Sequence, residues 1–501
     1  MNANIAWKIR RLRAREQPRV LDLFSGCGGL SLGAQLAGCE ILGGIELDEA
    51  AASSHALNFH SDLPEELRLI HGTPKDITKQ DASAFIKDIR PSSRIPEREV
   101  DLLVGGPPCQ SFARIGRAKL REVMEHPDAF LHDPRSGLYK HYIRFVETLK
   151  PLIVIVENVP DVLNYGGLNV FEMMAISLSE HGYRCRYGML NSVHYGVPQM
   201  RTRCFLIGFH QGLEACPRLP APTRKHRLPL GYNGTVRVAM KEMDMFSSSH
   251  FADAPAPDKD VPKAITAHEA IGDLPAITDH LSGNMKKGPQ RLDKPVKLDA
   301  TPISGYSRFM RHWLGFESDG FVYDHVIRFL PRDYKIFARM SPGDQYPEAH
   351  SLALRMRDDE VARVERNQKR KISEKSKLYR EITKAFVPPY SPNKFPNKWR
   401  KMASDEPTRT IMAHIGKDSY SHIHYDDNQA RTISVREAAR LQSFPDGFKF
   451  CGTMNPAFRQ IGNSVPPLLA FAVISRAIGD VTSIEFPSEV DFSSDAKEAV
   501  V

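Results

Sequence analysis

The chain of 501 residues has few cysteines and no closely spaced pair of them. Cys27, Cys39, Cys109, Cys185, Cys204, Cys216 and Cys451 are scattered and odd in number. That excludes a disulfide framework and a zinc site of the paired-cysteine kind, and it suits a reducing compartment. Apolar runs of bilayer length are also missing; the run near the C-terminus, Leu468 to Ile474, is far too short. Lys8, Arg10, Arg11, Arg13 and Arg15 have no apolar core behind them, so the N-terminus does not read as a secretory signal. No repeat of fixed period and no low-complexity segment is visible. Charge of one sign is only mildly in excess: 68 Lys and Arg against 60 Asp and Glu give +8. Such an excess permits a polyanionic partner without proving one. These absences predict a soluble intracellular protein, long enough for two or three domains.

What is present is a series of short apolar runs that end in glycine, proline or a carboxylate. Val20 to Phe24 reads as a strand and runs into Ser25-Gly26-Cys27-Gly28-Gly29-Leu30, then a helix bearing Leu32, Leu36 and Ala37. Strand, glycine turn and helix together present backbone N–H groups to a ligand. The dinucleotide fingerprint is incomplete, because Ser31 stands where its third glycine belongs. A second strand, Ile41 to Leu47, carries Glu46, suitably spaced for ribose hydroxyls. A short loop at His71 to Thr78 carries Asp76, which could meet a purine amine or merely cap a turn.

Val100 to Val104 predicts a buried strand that stops at Gly105-Gly106, where Pro107 and Pro108 stiffen a loop carrying Cys109. A thiol at the carboxyl end of such a strand is a candidate nucleophile, and a buried small hydrophobe is the alternative. Leu152 to Val156 reads as another strand, ending in Glu157 and Asn158 after a helix at Tyr139 to Leu149. A buried carboxylate there either caps a helix or is poised for acid chemistry. Arg201 and Arg203 precede the apolar run Cys204 to Gly208, and period two sends both to one face.

From His210 the character changes. Ser247 to Pro262 reads as a linker or mobile loop. Basic and aromatic residues then interleave at Arg308 to Trp313, Arg355 to Lys377 and Lys394 to Lys401, a pattern fit for nucleic acid or for a solvated helix face. Ser434 and Glu437 have capping-box spacing before a helix that stops ahead of Pro445. Arg459 to Pro467 leads into a closing amphipathic helix, Leu468 to Ile478, and the acidic tail from Glu485 reads as disordered.

In order along the chain these blocks resemble the DNA (cytosine-5)-methyltransferases that use S-adenosylmethionine. Asp22-Leu23-Phe24-Ser25-Gly26-Cys27-Gly28-Gly29 is similar to the family's first block, Gly105 to Gln110 to its nucleophile loop, and Glu157-Asn158-Val159 to its acid. Gln199-x-Arg201-x-Arg203 is similar to its paired arginines, and Arg436 to Asp446 and Gly462 to Pro466 to its last two blocks. The resemblance implies an α/β, Rossmann-like methyltransferase domain with a mixed, mostly parallel sheet, plus a smaller target-recognition domain. The implied division is 1–209 for the first part of the catalytic domain, 210–430 for target recognition and 431–484 for the closing motifs, with 485–501 as the tail.

By the same resemblance Cys109 adds to cytosine while Glu157, Arg201 and Arg203 assist. Gln110, Ser111 and Asn158 contact the substrate. The cofactor is S-adenosylmethionine, with no metal, and its site is Phe24, Ser25, Gly26, Gly28, Gly29, Glu46, Leu47, Asp76, Ile77, Pro107, Asn463 and Ser464. The implied reaction methylates carbon 5 of a flipped-out cytosine in a specific double-stranded DNA sequence. The expected setting is a cytoplasmic monomer, away from membranes, paired with a cognate restriction endonuclease. Two other readings are a tRNA cytosine-5 methyltransferase and a catalytically silent DNA-binding scaffold. The long segment after 209 argues against the first and the presence of Cys109 against the second.

Overall fold

The computed structural model describes residues 2–108, 137–164, 168–232, 249–285, 288, 292–417, 419–482, 490 and 492. Its centre is a six-stranded sheet in the order β2-β1-β3-β4-β7-β5. These strands are β1 (Arg19–Leu23), β2 (Glu40–Ile45), β3 (Leu102–Gly105), β4 (Ile153–Asn158), β5 (Tyr183–Asn191) and β7 (Thr202–His210). The first four pair in parallel, and β7 runs antiparallel between β4 and β5. The runs Val20-Leu21, Leu102-Leu103-Val104 and Ile153 to Val156 are completely buried. Parallel strands covered on both faces need such unbroken apolar runs.

Helices α1 (Ala3–Arg13), α2 (Gly29–Leu36), α3 (Glu49–Phe59), α4 (Glu65–Gly72), α5 (Ala82–Ile89), α6 (Gly137–Leu149) and α7 (Val170–Glu180) flank this sheet. The basic α1 is partly structural. Its Lys8 is fully buried and donates to the carbonyls of Leu149 and Lys150, at the end of α6. Cations suit the carboxyl end of a helix. The expected fold class is therefore observed.

The C-terminal block returns to the sheet. It contains α13 (Val435–Leu441), α14 (Met454–Asn463) and α15 (Pro467–Thr482), which share a core with α8 (Ala267–Ile271) and α9 (Gly305–Arg311) of the variable region, and β10 (Thr408–Arg409) pairs in parallel with β6 (Gln199–Met200). A short ladder joins β8 (Val296–Lys297) to β9 (Phe321–Val322). The capping box is present, with Ser434 Oγ accepting from the Glu437 N–H and Glu437 from the Ser434 N–H. The closing helix is not amphipathic: α15 is buried on nearly every side because α2 packs along it. Among the described residues Met454–Thr482 alone has the length and apolarity to cross a membrane, and most of it is buried.

The described residues of the variable region fall into more than one core. Ile265, Ile271, Tyr306, Phe309, Trp313 and Phe316 share an apolar core with α2 and α15, so Phe309 and Trp313 are core residues rather than nucleic-acid contacts. Arg311 is likewise buried, paired with Asp273 at 2.5 Å. A separate small core gathers α10 (Tyr334–Phe337), the root of α11 (Tyr346–Gln368), Trp399 and Tyr420, with α12 (Lys377–Phe386) packed along α11. Trp399 stacks on Tyr420 at 4.7 Å between ring centres. The expected linker is attached at one point, where Phe251 forms a bridge to Tyr187 of β5, while Asp253 to Ala256 and Asp258 to Asp260 are exposed. Val490 is buried and Phe492 packs on Tyr306 and Phe309, which corrects the disordered tail at those two positions.

Candidate active site

Strand register brings several of the candidate residues to one edge. Leu23 pairs with Ile45 and Gly105, and Gly105 pairs with Val156. The residues that follow each of these, Phe24, Glu46, Gly106 and Glu157, therefore leave the sheet side by side at its carboxyl end, where open α/β sheets bind ligands. The antiparallel β7 adds Arg203 from the other direction, since Asn158 pairs with Cys204.

Glu157 is buried, and Arg203 Nε lies 3.0 Å from its Oε1. Burial pushes this carboxyl above its ordinary range, and the charges of Arg203 and Arg201 offset that only in part. Arg203 also donates from Nη1 to the Thr202 carbonyl at 2.7 Å. Gly106 lies against Glu157: a Cβ there would stand 3.1 Å from Oε2. Asn158 braces the same corner, its Nδ2 donating to the Pro107 carbonyl and meeting Tyr139 Oη, each at 2.8 Å. The loop that leads to Cys109 thus departs from a point tied to the strand carrying the acid. Cys109, Gln110 and Ser111 themselves lie outside the described residues.

Arg201 is placed elsewhere. It is fully buried and donates to the carbonyls of Ile411 at 2.6 Å, Gly462 at 2.8 Å and Ser464 at 3.1 Å. Its neighbour Gln199 reaches Gln442 at 2.5 Å and accepts from the Ile411 N–H at 2.8 Å, while Gln442 donates to the Ser464 carbonyl at 2.6 Å. Together they lock the C-terminal segments onto the sheet beside the acid.

The glycine turn is shaped by two tight approaches. Gly28 has φ 106° at the start of α2, a conformation costly for other residues. A side chain on Gly29 would collide with Ser464 Oγ and the Val465 carbonyl. Ser31, in place of the third glycine, has its own task. Its Oγ donates to Asp22 Oδ2 at 2.7 Å and lies 3.0 Å from His55 Nε2. Burial raises Asp22 to about 7 and lowers His55 to about 3. This buried Asp22–Ser31–His55 chain was missed by sequence reasoning, although Ser31 breaking the glycine pattern was its signal.

Glu46 accepts from the N–H groups of Gly26 at 2.8 Å, Leu47 at 2.8 Å and Asp48 at 2.7 Å. The Lys75 N–H donates to the Glu46 carbonyl at 2.6 Å, which draws the loop of Asp76 and the buried Ile77 beside it. Asp76 caps its own turn, accepting from the Thr78 N–H and hydroxyl, and those bonds hold its carboxyl below the ordinary range. The residues fit a nucleoside-bearing sulfonium cofactor. Ser25 Oγ is buried without a hydrogen-bond partner among the described residues, and the space over Gly26 is open. Leu47 is 67 % exposed, an apolar platform beside Glu46. Ser464 closes on the turn, Asn463 is exposed and Pro107 is buried. Among the described residues, no group of three or more His, Cys, Asp or Glu is placed to hold a metal ion.

The sequence profile of the C-5 cytosine-specific DNA methylases matches residues 18–479. A candidate type II methyltransferase of Oceanobacillus iheyensis is 37 % identical over 461 residues, covering 92 % of this chain and 95 % of the relative. The type II methyltransferase M.AgeI of Thalassovita gelatinovora is 29 % identical over 470 residues, covering 91 % of this chain and 98 % of the relative. A crystal structure of a candidate DNA modification methyltransferase encoded within a prophage of E. coli superposes with a TM-score of 0.57 at 21 % identity, covering 93 % of this chain and 100 % of that one. The fold, the ordered blocks and these matches agree: the chain belongs to the C-5 cytosine-specific DNA methylase family, whose members use S-adenosylmethionine.

Proposed function

We propose that this protein methylates carbon 5 of a cytosine swung out of one specific double-stranded DNA sequence, through a transient bond from Cys109 to carbon 6. The observation that carries the reading is the buried Glu157–Arg203 pair on β4 and β7, beside the end of β3, whose following loop bears Cys109. The thiolate is the nucleophile, so its proton leaves before or as sulfur adds to carbon 6. Addition pushes electron density into the ring, and Glu157 meets it with a proton at ring nitrogen 3. Burial, which raises that carboxyl, favours the protonated form this step requires. Arg203 fixes the carboxyl and presents its remaining N–H groups to the cytosine carbonyl oxygen. S-adenosylmethionine, when bound, supplies an electrophilic methyl group for carbon 5. The carbon 5 proton then passes to water in this reading, the Cys109–carbon 6 bond breaks to release the thiolate, and the nitrogen 3 proton returns to Glu157, which restores the ring.

Phe24, Ser25, Gly26, Glu46, Leu47, Asp76 and Ile77 would hold the cofactor, with Ser464 closing it in. Arg201 is a positioning residue in this scheme, because its three carbonyl partners keep Ser464 against the glycine turn. A base inside a stacked duplex is out of reach of this pocket, so the target base must leave the stack. The type II relatives support a cytoplasmic modification role beside a restriction endonuclease of the same specificity.

The test is expression in cells that lack cytosine methylation, followed by genome-wide mapping of 5-methylcytosine. The expected result is one short sequence methylated wherever it occurs, and none with Cys109→Ser. Folded protein without any 5-methylcytosine would overturn the reading.

A further inference from the structure

The mechanism leaves the two-helix arm of α11 and α12 without a task. Between Arg363 and Arg380 lie eight basic residues and two acidic ones, a net of +6 in 18 residues, in a chain whose total is +8. The arm is rooted in the small aromatic core through Tyr346, Ala349 and Ala353. Beyond Ala353, α11 runs another 16 residues to its left-handed cap at Lys369, or about 24 Å at the usual rise. The basic tip therefore stands well away from the core that supports it.

A solvated helix face explains part of this charge and fails for the rest. Arg363, Lys371 and Lys377 have acidic partners, Glu360, Glu365 and Glu381. Arg366, Lys369, Arg370, Lys375 and Arg380 are exposed and have no ion pair among the described residues. Those at the end of α11 suit its dipole. Lys375, Lys377 and Arg380 oppose theirs: they cluster where α12 begins, and its first turn holds no acidic residue. Helix stability disfavours cations at that position; Lys377 is offset by Glu381 and Arg380 donates to the Ser376 and Lys375 carbonyls, but for the Lys375 ammonium, which has neither kind of partner among the described residues, the local fold gives no reason. An external polyanion does.

We propose that the tip of this arm grips the phosphate backbone of duplex DNA outside the methylated sequence, adding affinity without reading bases. The inference rests on the DNA reading above for the identity of the polyanion. Phosphate contacts of this kind hold and orient the protein on the duplex and carry little sequence information.

The test uses the full chain and two triple variants. One carries Arg366→Gln, Lys369→Gln and Arg370→Gln; the other carries Lys375→Gln, Lys377→Gln and Arg380→Gln. A third triple, Arg10→Gln, Arg13→Gln and Arg15→Gln on and beside α1, is the control. The binding probe is a 40-base-pair duplex of adenine and thymine only, which offers no target cytosine, titrated across KCl concentrations. Each lost phosphate contact should flatten the slope of log affinity against log salt by about 0.9, so each arm variant should lose about 2 to 3. Affinity at low salt should fall at least tenfold, and KM for plasmid methylation should rise while kcat stays within twofold. The control should match wild type. An unchanged slope and KM in both arm variants would overturn the proposal, as would loss of affinity for tRNA with duplex affinity retained. Failure of wild-type protein to methylate plasmid would count against the DNA reading instead, and the salt slope would still judge the arm.

Discussion

Two buried glutamates, Glu157 and Glu437, both face arginine, and their environments are opposite. Glu437 meets Arg431 through both oxygens at 2.7 Å, accepts from the Ser434 N–H at 2.7 Å and lies 3.5 Å from His424. Burial alone would raise its carboxyl, yet Arg431, with His424 and His325, pulls it far below the ordinary range. Glu157 meets one arginine through one N–H, and burial prevails. The lesson concerns spare capacity. A saturated carboxylate is fixed as an anion and serves the fold; an under-partnered one at a strand end can still take a proton and a ligand.

The contrast predicts opposite failures. Glu157→Gln should keep the melting temperature and lower kcat by about 10² to 10⁴, the usual worth of a positioned acid, in single-turnover methylation assays. Glu437→Gln should reverse that pattern. Breaking a buried pair leaves Arg431 uncompensated at a cost of about 3–5 kcal/mol, read by denaturant unfolding. Any protein that still folds should keep its chemical step.

A third carboxylate sharpens the comparison. Asp22 is buried with only Ser31 on one oxygen, and its carboxyl is raised to about 7. In the folded chain it stays protonated between its ordinary value and about 7, whereas in the unfolded chain it ionises. Stability is therefore lost as pH rises across that window. Asp22→Asn should remove this slope, so that its unfolding free energy gains on wild type by up to a few kcal/mol between pH 5 and pH 8. A gain independent of pH would mean that Asp22 is already ionised. The smallest effect belongs to Arg203→Lys, which keeps the charge beside Glu157 and loses the planar fork. It should cost about tenfold in kcat/KM with little change in stability.

The same physics explains what was legible in the sequence. The strand ends were readable because each is written locally: an apolar run, then Gly105-Gly106-Pro107-Pro108 or Glu157-Asn158. The capping box at Ser434 and Glu437 was readable for the same reason. Arg201 and Arg203 looked equivalent because period two puts them on one face. Their difference depends on Ile411 and Gly462, which lie 210 and 261 residues away. Likewise the pattern Arg308 to Trp313 suits nucleic acid or a solvated helix face, and it is packing against α15 and its neighbours that makes Phe309 and Trp313 core residues instead. Helical period alone could not say that α15 is covered on nearly every side, since that follows from its partners.

The central claim is a covalent bond between Cys109 and the target base. A duplex amplified with 5-fluorocytosine at every cytosine carries fluorine where the departing carbon 5 proton would be, and fluorine cannot leave as a cation, so the bond should persist once the methyl group has been transferred. Incubated with S-adenosylmethionine and this duplex, wild-type protein should shift to a denaturant-stable protein–DNA species, and Cys109→Ser should give none. A folded wild-type protein that methylates ordinary DNA yet never forms that species would contradict the account.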